Sequence, residues 1–143
     1  METQELFKVG QQALKAQSFS RLLGTVLIEF KPGVAVLEIP VSEDVLQQNG
    51  FVHGGVLSYA ADNTLTFVAG SVLGPNVLTA EYKINYLRPA VGEKIIARGT
   101  VVSSGKRQAV CRCDISIRKG EKETVCAIAQ GTIMASASEK SNE

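Results

Sequence analysis

The sequence predicts an α+β fold: one antiparallel β-sheet curled around a single long, buried helix. Three observations predict it. From Gly54 to about Ala69 the residues are mostly Val, Leu, Ala, Phe and Tyr, with no proline, lysine or arginine, which reads as a helix buried on nearly all sides. From Val77 onward the period changes to two, the spacing of strands whose residues alternate between faces. The links between those later strands are too short for helical crossovers, so the strands are expected to be antiparallel neighbours. A helix that is apolar all round needs cover all round, and a sheet wrapped over it supplies most of that cover. The open sheet edges and the uncovered side then favour self-association.

Residues 2–17 carry Leu6, Phe7 and Leu14 among Glu, Gln and Lys, the pattern of a short amphipathic helix on the domain surface. Leu22 to Phe30 and Val34 to Val41, separated by Lys31-Pro32-Gly33, read as a β-hairpin with Ala35, Leu37, Ile39 and Val41 on one face. Ser42 to Phe51 is polar and irregular, a loop able to supply side chains beside the helix start. Gly70 and Gly74-Pro75 are expected to end the buried helix. In the strand Val77 to Leu87, Leu78, Ala80, Tyr82, Ile84 and Tyr86 fall on one side and Thr79, Glu81, Lys83 and Asn85 on the other. Arg88 to Gly92 turns the chain, Glu93 to Val102 returns, and Ser103 to Lys106 turns again. Arg107 to Arg118 then points Ala109, Cys111, Cys113, Ile115 and Ile117 inward. The last strand, Glu123 to Met134, has a flat face of Ala127, Ala129 and Gly131 on which a helix can lie close. The tail, 136–143, reads as disordered.

At 143 residues the chain fits one domain, 1–143, and is long enough to bury a core without metal or disulfide support. Its 15 basic and 14 acidic residues nearly cancel, and no dense basic block argues for nucleic acid or an anionic membrane. Cys111, Cys113 and Cys126 match neither a disulfide framework nor a zinc site and read as reduced core residues. No metal is expected. The N-terminus lacks the order of a signal peptide and no apolar run approaches 18 residues, so a soluble, cytoplasmic protein is expected.

The chemistry is concentrated at the start of the buried helix. On a 3.6-residue period Asp62 shares a face with Ser58 and Thr66, and with Gly55 a turn further back, so one polar stripe crosses an apolar helix. A carboxylate there is costly unless hydrogen-bonded or paired, so Asp62 is either satisfied for structural reasons or kept for chemistry. The first amides of a helix have no intrahelical partner, so Gly54 and Gly55 are placed to bind an oxyanion where a side chain would block approach. Thr66 or Ser58 is placed to steer the acid by hydrogen bond. Val56, Tyr59 and Phe67 are candidates for a pocket wall and equally for core.

The segment Gln47 to Thr66, with His53-Gly54-Gly55 and Asp62 nine residues after the His, is followed by the strand Thr79-Ala80-Glu81-Tyr82-Lys83-Ile84-Asn85-Tyr86-Leu87-Arg88-Pro89. Together these resemble the hotdog-fold acyl-CoA thioesterases of the phenylacetate-degradation (PaaI-like) type, over about residues 20–135. The resemblance implies a sheet wrapped around one helix, assembled as a homodimer or homotetramer with composite active sites at the dimer interface. It implies that Asp62 is the catalytic carboxylate, as general base or nucleophile, and that the Gly54 amide binds the thioester carbonyl oxygen. Gln47 falls where the family places an amide that holds the water or the carbonyl, and Thr79 where some members carry a hydroxyl near the acid. His53 is expected to orient the loop rather than carry protons. The family pairs Asn with Asp or Gln with Glu, so Gln47 with Asp62 is a departure. Arg88, Lys106 and Arg107 are candidate partners for the CoA phosphates. No cofactor is expected, since CoA belongs to the substrate. A non-catalytic acyl-CoA-binding module is the alternative, and a hotdog dehydratase a weaker third.

Overall fold

A computed structural model of the chain describes residues 1–136. The first helix, α1, spans Thr3–Ala16 and lies on the sheet with Gly10 and Leu14 buried. Gly10 sets how closely it docks, because a Cβ there would come within 2.6 Å of Phe30 Cδ2. A second short helix, α2, follows at Ser18–Leu23, where the sequence reading starts a strand at Leu22. Leu22 is 79% exposed, so its apolar side chain marks no inward face, and Gly24 ends the helix in the left-handed conformation at φ 74°. Strand β1 begins only at Val26.

Strands β1 (Val26–Lys31) and β2 (Val34–Pro40) form the expected hairpin, with Ala35, Leu37 and Ile39 essentially buried. The central helix, α3, runs over Gly54–Leu73. It passes through Gly70 and stops at Gly74, four residues beyond the first of the two expected stops, because Gly70 sits beside Val77 without breaking the helical bonds. Four strands follow: β3 (Val77–Tyr86), β4 (Lys94–Ser104), β5 (Gln108–Lys119) and β6 (Lys122–Ala135).

All six strands form one antiparallel sheet in the order β1-β2-β4-β5-β6-β3. The expectation of neighbouring later strands holds for β4, β5 and β6 and fails for β3. That strand pairs with β6 at one edge, and the link after it carries the chain back across the sheet end to β4. The link is tied on the way by Leu87 N–H to Cys126 O (2.8 Å), Val52 N–H to Ala90 O (3.0 Å) and Val41 N–H to Glu93 O (2.9 Å).

The sheet closes on α3 through β4. A Cβ on Gly99 would meet Thr64 Cγ2 at 2.8 Å, so this glycine lets the helix seat against the strand. The helix also packs against β6, whose Ala127 and Ala129 lie in the core, but Gly131 on that face has a different use: a Cβ there would run into Glu81 O and Tyr82 Cβ, so this glycine admits β3. On β5 every inward residue expected is buried. Burial pushes the Cys111 thiol up to about 11 and the Cys113 thiol up to about 12, the neighbouring Asp114 charge adding to the latter, and all three cysteines are free thiols. Of the tail, Ser136 is held by two bonds to Asn76 O, from its N–H (2.8 Å) and its hydroxyl (3.0 Å); the rest of that expectation, 137–143, lies outside the described residues. No helix of the described residues is long and apolar enough to cross a membrane.

Candidate active site

Strand β3 positions the site, and it does so by breaking its own alternation. Thr79 pairs with Ile133 of β6 but Glu81 pairs with Thr132, so Ala80 is an extra residue, a β-bulge. The bulge turns Thr79 onto the helix side together with Tyr82 and Ile84, whereas strict alternation puts Thr79 and Tyr82 on opposite faces. Leu78, assigned by alternation to Tyr82's side, is 65% exposed.

Three hydroxyl contacts therefore join β3 to the polar stripe of α3. Thr79 Oγ1 donates to Asp62 Oδ1 at 2.6 Å. One helical turn towards the start, the Tyr82 and Ser58 hydroxyls are hydrogen-bonded. At the helix start Tyr86 donates to Gly54 O at 3.0 Å, its ring lying over the glycine. Asp62 Oδ2 has no hydrogen-bond partner among the described residues and remains open to solvent. The half-buried acid thus has one oxygen pinned and one free.

The remaining candidates sort themselves by what they already bond. Thr66 donates to Asn63 O at 2.8 Å, within its own helix, and Ser58 is taken by Tyr82, so neither steers Asp62. Thr79 does. His53 is the N-cap of α3, and its Nδ1 accepts from Gly55 N–H at 2.8 Å. That bond fixes the tautomer, with the ring proton on Nε2, and occupies the Gly55 amide. Of the two glycines expected to bind an oxyanion, only Gly54 keeps an amide without a partner among the described residues. The Gln47 carboxamide oxygen accepts from Asn49 N–H, which leaves its NH2 as the free end. Phe67 is core, packed edge-on to Phe30 at 5.5 Å. The Tyr59 hydroxyl is engaged elsewhere than at Asp62, bonded to Ser20 (2.6 Å) and Thr25 (2.8 Å) and reached by Asn63 Nδ2 (3.2 Å).

Arg88, Lys106 and Arg107 are all exposed, but they do not converge. Arg88 follows the end of β3 near Gly54, while Arg107 O holds Ala135 N–H beside the start of β3, so the ten-residue strand separates them by about 30 Å. Two concavities of the described residues also lie elsewhere. One, of about 480 Å³, runs between α1 and β1; the other, of about 240 Å³, lies on the outer sheet face around Lys83, Arg112 and Gln130, and Asp62 lines neither. The described residues contain no cluster of His, Cys, Asp and Glu that could hold a metal ion.

The sequence reading missed Tyr82 and Tyr86 as partners of the site. Their spacing of four on a strand places both on one face, a signal that was present but carried no chemistry by itself.

One six-stranded antiparallel sheet wrapped on one long helix is the hotdog architecture. The thioesterase superfamily matches residues 49–124, and the chain belongs to that family. It is 32% identical over 133 residues to acyl-coenzyme A thioesterase 13 of Homo sapiens, covering 90% of this chain and 91% of the relative. In structure it is similar to a thioesterase family protein from Silicibacter pomeroyi, with a TM-score of 0.88 and 27% identity over 96% of this chain and 100% of that one. It is also similar to a mutant form of the phenylacetic acid degradation protein PaaI from Thermus thermophilus, with a TM-score of 0.74 and 26% identity over 84% of this chain and 100% of that one. The PaaI-like resemblance and the hotdog fold are borne out.

Proposed function

We propose that this protein hydrolyses acyl-CoA thioesters to free acid and CoA, with Asp62 as the acting carboxylate and Gly54 N–H as the oxyanion donor. The observation that carries this is the division of labour within one carboxylate: Thr79 fixes Oδ1 and leaves Oδ2 free for the reaction. As general base, Asp62 takes a proton from water as the water oxygen bonds to the thioester carbon. The carbonyl electrons move onto oxygen, where the Gly54 amide and the positive end of α3 stabilise them. Collapse of this intermediate breaks the carbon–sulfur bond and expels CoA as thiolate, which is then protonated. A thiolate leaves without the acid assistance an amine needs, so no Ser-His-Asp relay and no cofactor is required.

Gly54 and Asp62 of one chain do not serve the same thioester. Eight residues of α-helix separate them by about 12 Å along the axis, while an attacking water and a carbonyl oxygen each need a partner at about 3 Å. The base and the donor therefore come from two subunits of a dimer, with Gln47 and Gly54 of one facing Asp62 of the other. The free edge of β3, with exposed Leu78, Tyr86 and Leu87, is the surface available for that pairing. An antiparallel arrangement also brings Arg88 of one subunit to the end of the molecule where its partner carries Lys106 and Arg107, which gathers the cations for the CoA phosphates.

The test is thiol release from short, medium, long-chain and aryl acyl-CoAs. Asp62→Ala is expected to lower kcat by about a thousandfold or more with circular dichroism unchanged. Full turnover by the variant refutes the assignment, and saturable CoA-ester binding without turnover by the native protein makes it a binding module. In a single turnover in 18O-water, label in Asp62 identifies it as the nucleophile, since the label enters when water attacks the Asp62 carbonyl of the mixed anhydride.

A further inference from the structure

We infer that Tyr86 is a positioning residue of the hydrolysis, clamping the peptide that follows the oxyanion donor so that Gly54 N–H keeps its aim. The inference rests on the thioesterase reading above and adds to it what holds the donor still. The need arises from the residue type. Glycine has no Cβ to restrict its backbone, so a donor at Gly54, the first residue of α3, is free to swing unless something outside it fixes the two flanking peptides.

Both peptides are fixed. On the near side the His53 carbonyl accepts from Val56 N–H at 2.9 Å, and His53 N–H donates to Val45 O at 2.8 Å. On the far side the Gly54–Gly55 peptide is held at both ends: its carbonyl accepts from the Tyr86 hydroxyl at 3.0 Å, and its N–H donates to His53 Nδ1 at 2.8 Å. These bonds surround the donor and leave it unspent, since Gly54 N–H has no partner among the described residues. The Tyr86 bond is the one that comes from the sheet. Tyr86 pairs with Ala127 of β6, and the next residue, Leu87, donates its N–H to Cys126 O at 2.8 Å, so the hydroxyl is mounted on bonded backbone.

The fit around the clamp is close. A Cβ at Gly54 would meet Tyr86 Cε1 and Cζ at 3.5 Å, so the ring lies where a side chain of residue 54 would point and limits the glycine on that side. A Cβ at Gly55 would come within 2.9 Å of His53 Nδ1, so the second glycine is what lets the imidazole reach the amide. Tyr86 thus does for the donor what Thr79 does for Asp62, from opposite ends of one strand.

Tyr86→Phe tests the clamp, because it removes the hydroxyl and keeps the ring. With acyl-CoA substrate, kcat is expected to fall about three- to tenfold, the effect of one neutral hydrogen bond, while KM stays within about twofold. Backbone 15N order parameters at Gly54 and Gly55 are expected to drop below the rigid value of about 0.85. Unchanged kcat overturns the inference. So does a lowered kcat with Gly54 and Gly55 still rigid, because the hydroxyl then meets the substrate itself.

The other end of the same peptide gives a second arm that does not depend on Tyr86. His53→Ala removes the acceptor and His53→Asn restores one, since asparagine at an N-cap accepts from the second or third helix amide. A fall in kcat is expected in the first and recovery of most of it in the second. In Tyr86→Phe/His53→Ala the combined loss is expected to be smaller than the product of the two, because both act through one peptide. Losses that multiply overturn the shared clamp. If the native protein turns over none of the acyl-CoA panel, the thioesterase reading fails, and the order parameters alone decide whether Tyr86 holds the peptide.

Discussion

Strands β3 and β5 look alike in the sequence, each an alternation of apolar and polar residues over about ten positions, and the folded protein treats them differently. β5 lies inside the sheet, hydrogen-bonded on both sides, and its register carries no extra residue; where irregularities occur on either side of it, they fall on β4 at Val102 and β6 at Cys126. β3 lies at an edge with one neighbour, and there the extra residue is its own. A strand paired on both sides must keep the alternation that its core demands, whereas an edge strand loses little pairing by absorbing an insertion. The interior strand holds the fold, and the edge strand aims a hydroxyl at Asp62.

This difference can be broken from either side. The largest effect is expected from inserting one residue after Cys113. Ile115 and Ile117 then turn outward and Asp114 and Ser116 turn inward, which costs more than the 5–15 kcal/mol that holds a domain of this size together, and circular dichroism should show no cooperative fold. Deleting Ala80 from β3 is the matched experiment. It should leave melting within a few degrees of native while rotating Thr79 away from Asp62, and the lost hydrogen bond to the carboxylate, worth about 1.5–3 kcal/mol, predicts a fall in kcat/KM of about 10- to 150-fold. Unchanged turnover after deletion separates the bulge from catalysis.

The smallest effect sharpens the interior half of the comparison. Cys111 and Cys113 remain thiols in the folded state up to about pH 11 and 12, while unfolded thiols ionise near 8.5. Between those values the unfolded chain binds fewer protons, so stability is full below about pH 8.5 and falls as pH rises, by up to about 1.4 kcal/mol per unit for each thiol. Denaturant midpoints measured from pH 8 to 10.5 should decline, and the double variant Cys111→Ala/Cys113→Ala should flatten that decline.

What the sequence made legible follows the same division. The buried helix, the hairpin face of Ala35, Leu37 and Ile39, and all of β5 rest on periodicities that many contacts enforce together. The acid on its stripe was visible for the same reason, as a costly residue inside an apolar run. The bulge was not, because Ala80 has neither the backbone freedom of glycine nor the rigidity of proline to announce it, and the strand whose register it breaks, β6, lies about 50 residues further along the chain. The use of His53 as a cap that occupies the Gly55 amide depends on a side-chain rotamer, which residue spacing does not encode. The helix at Ser18–Leu23 escaped notice because two adjacent leucines look like the start of a strand, and the bonds from Ser20 to Gln17 and Tyr59 that anchor the turn join residues three and 39 apart.

Both outermost strands of the sheet carry an inserted residue, Ile28 in β1 and Ala80 in β3. An unpaired strand is a template on which further chains can stack without limit, and an insertion bends and twists it so that few incoming backbones match its donors and acceptors. The residue that aims Thr79 at Asp62 thereby also narrows which strands can add to that edge, so a bulge that serves a side chain on one face acts as a selector along the other direction of the sheet.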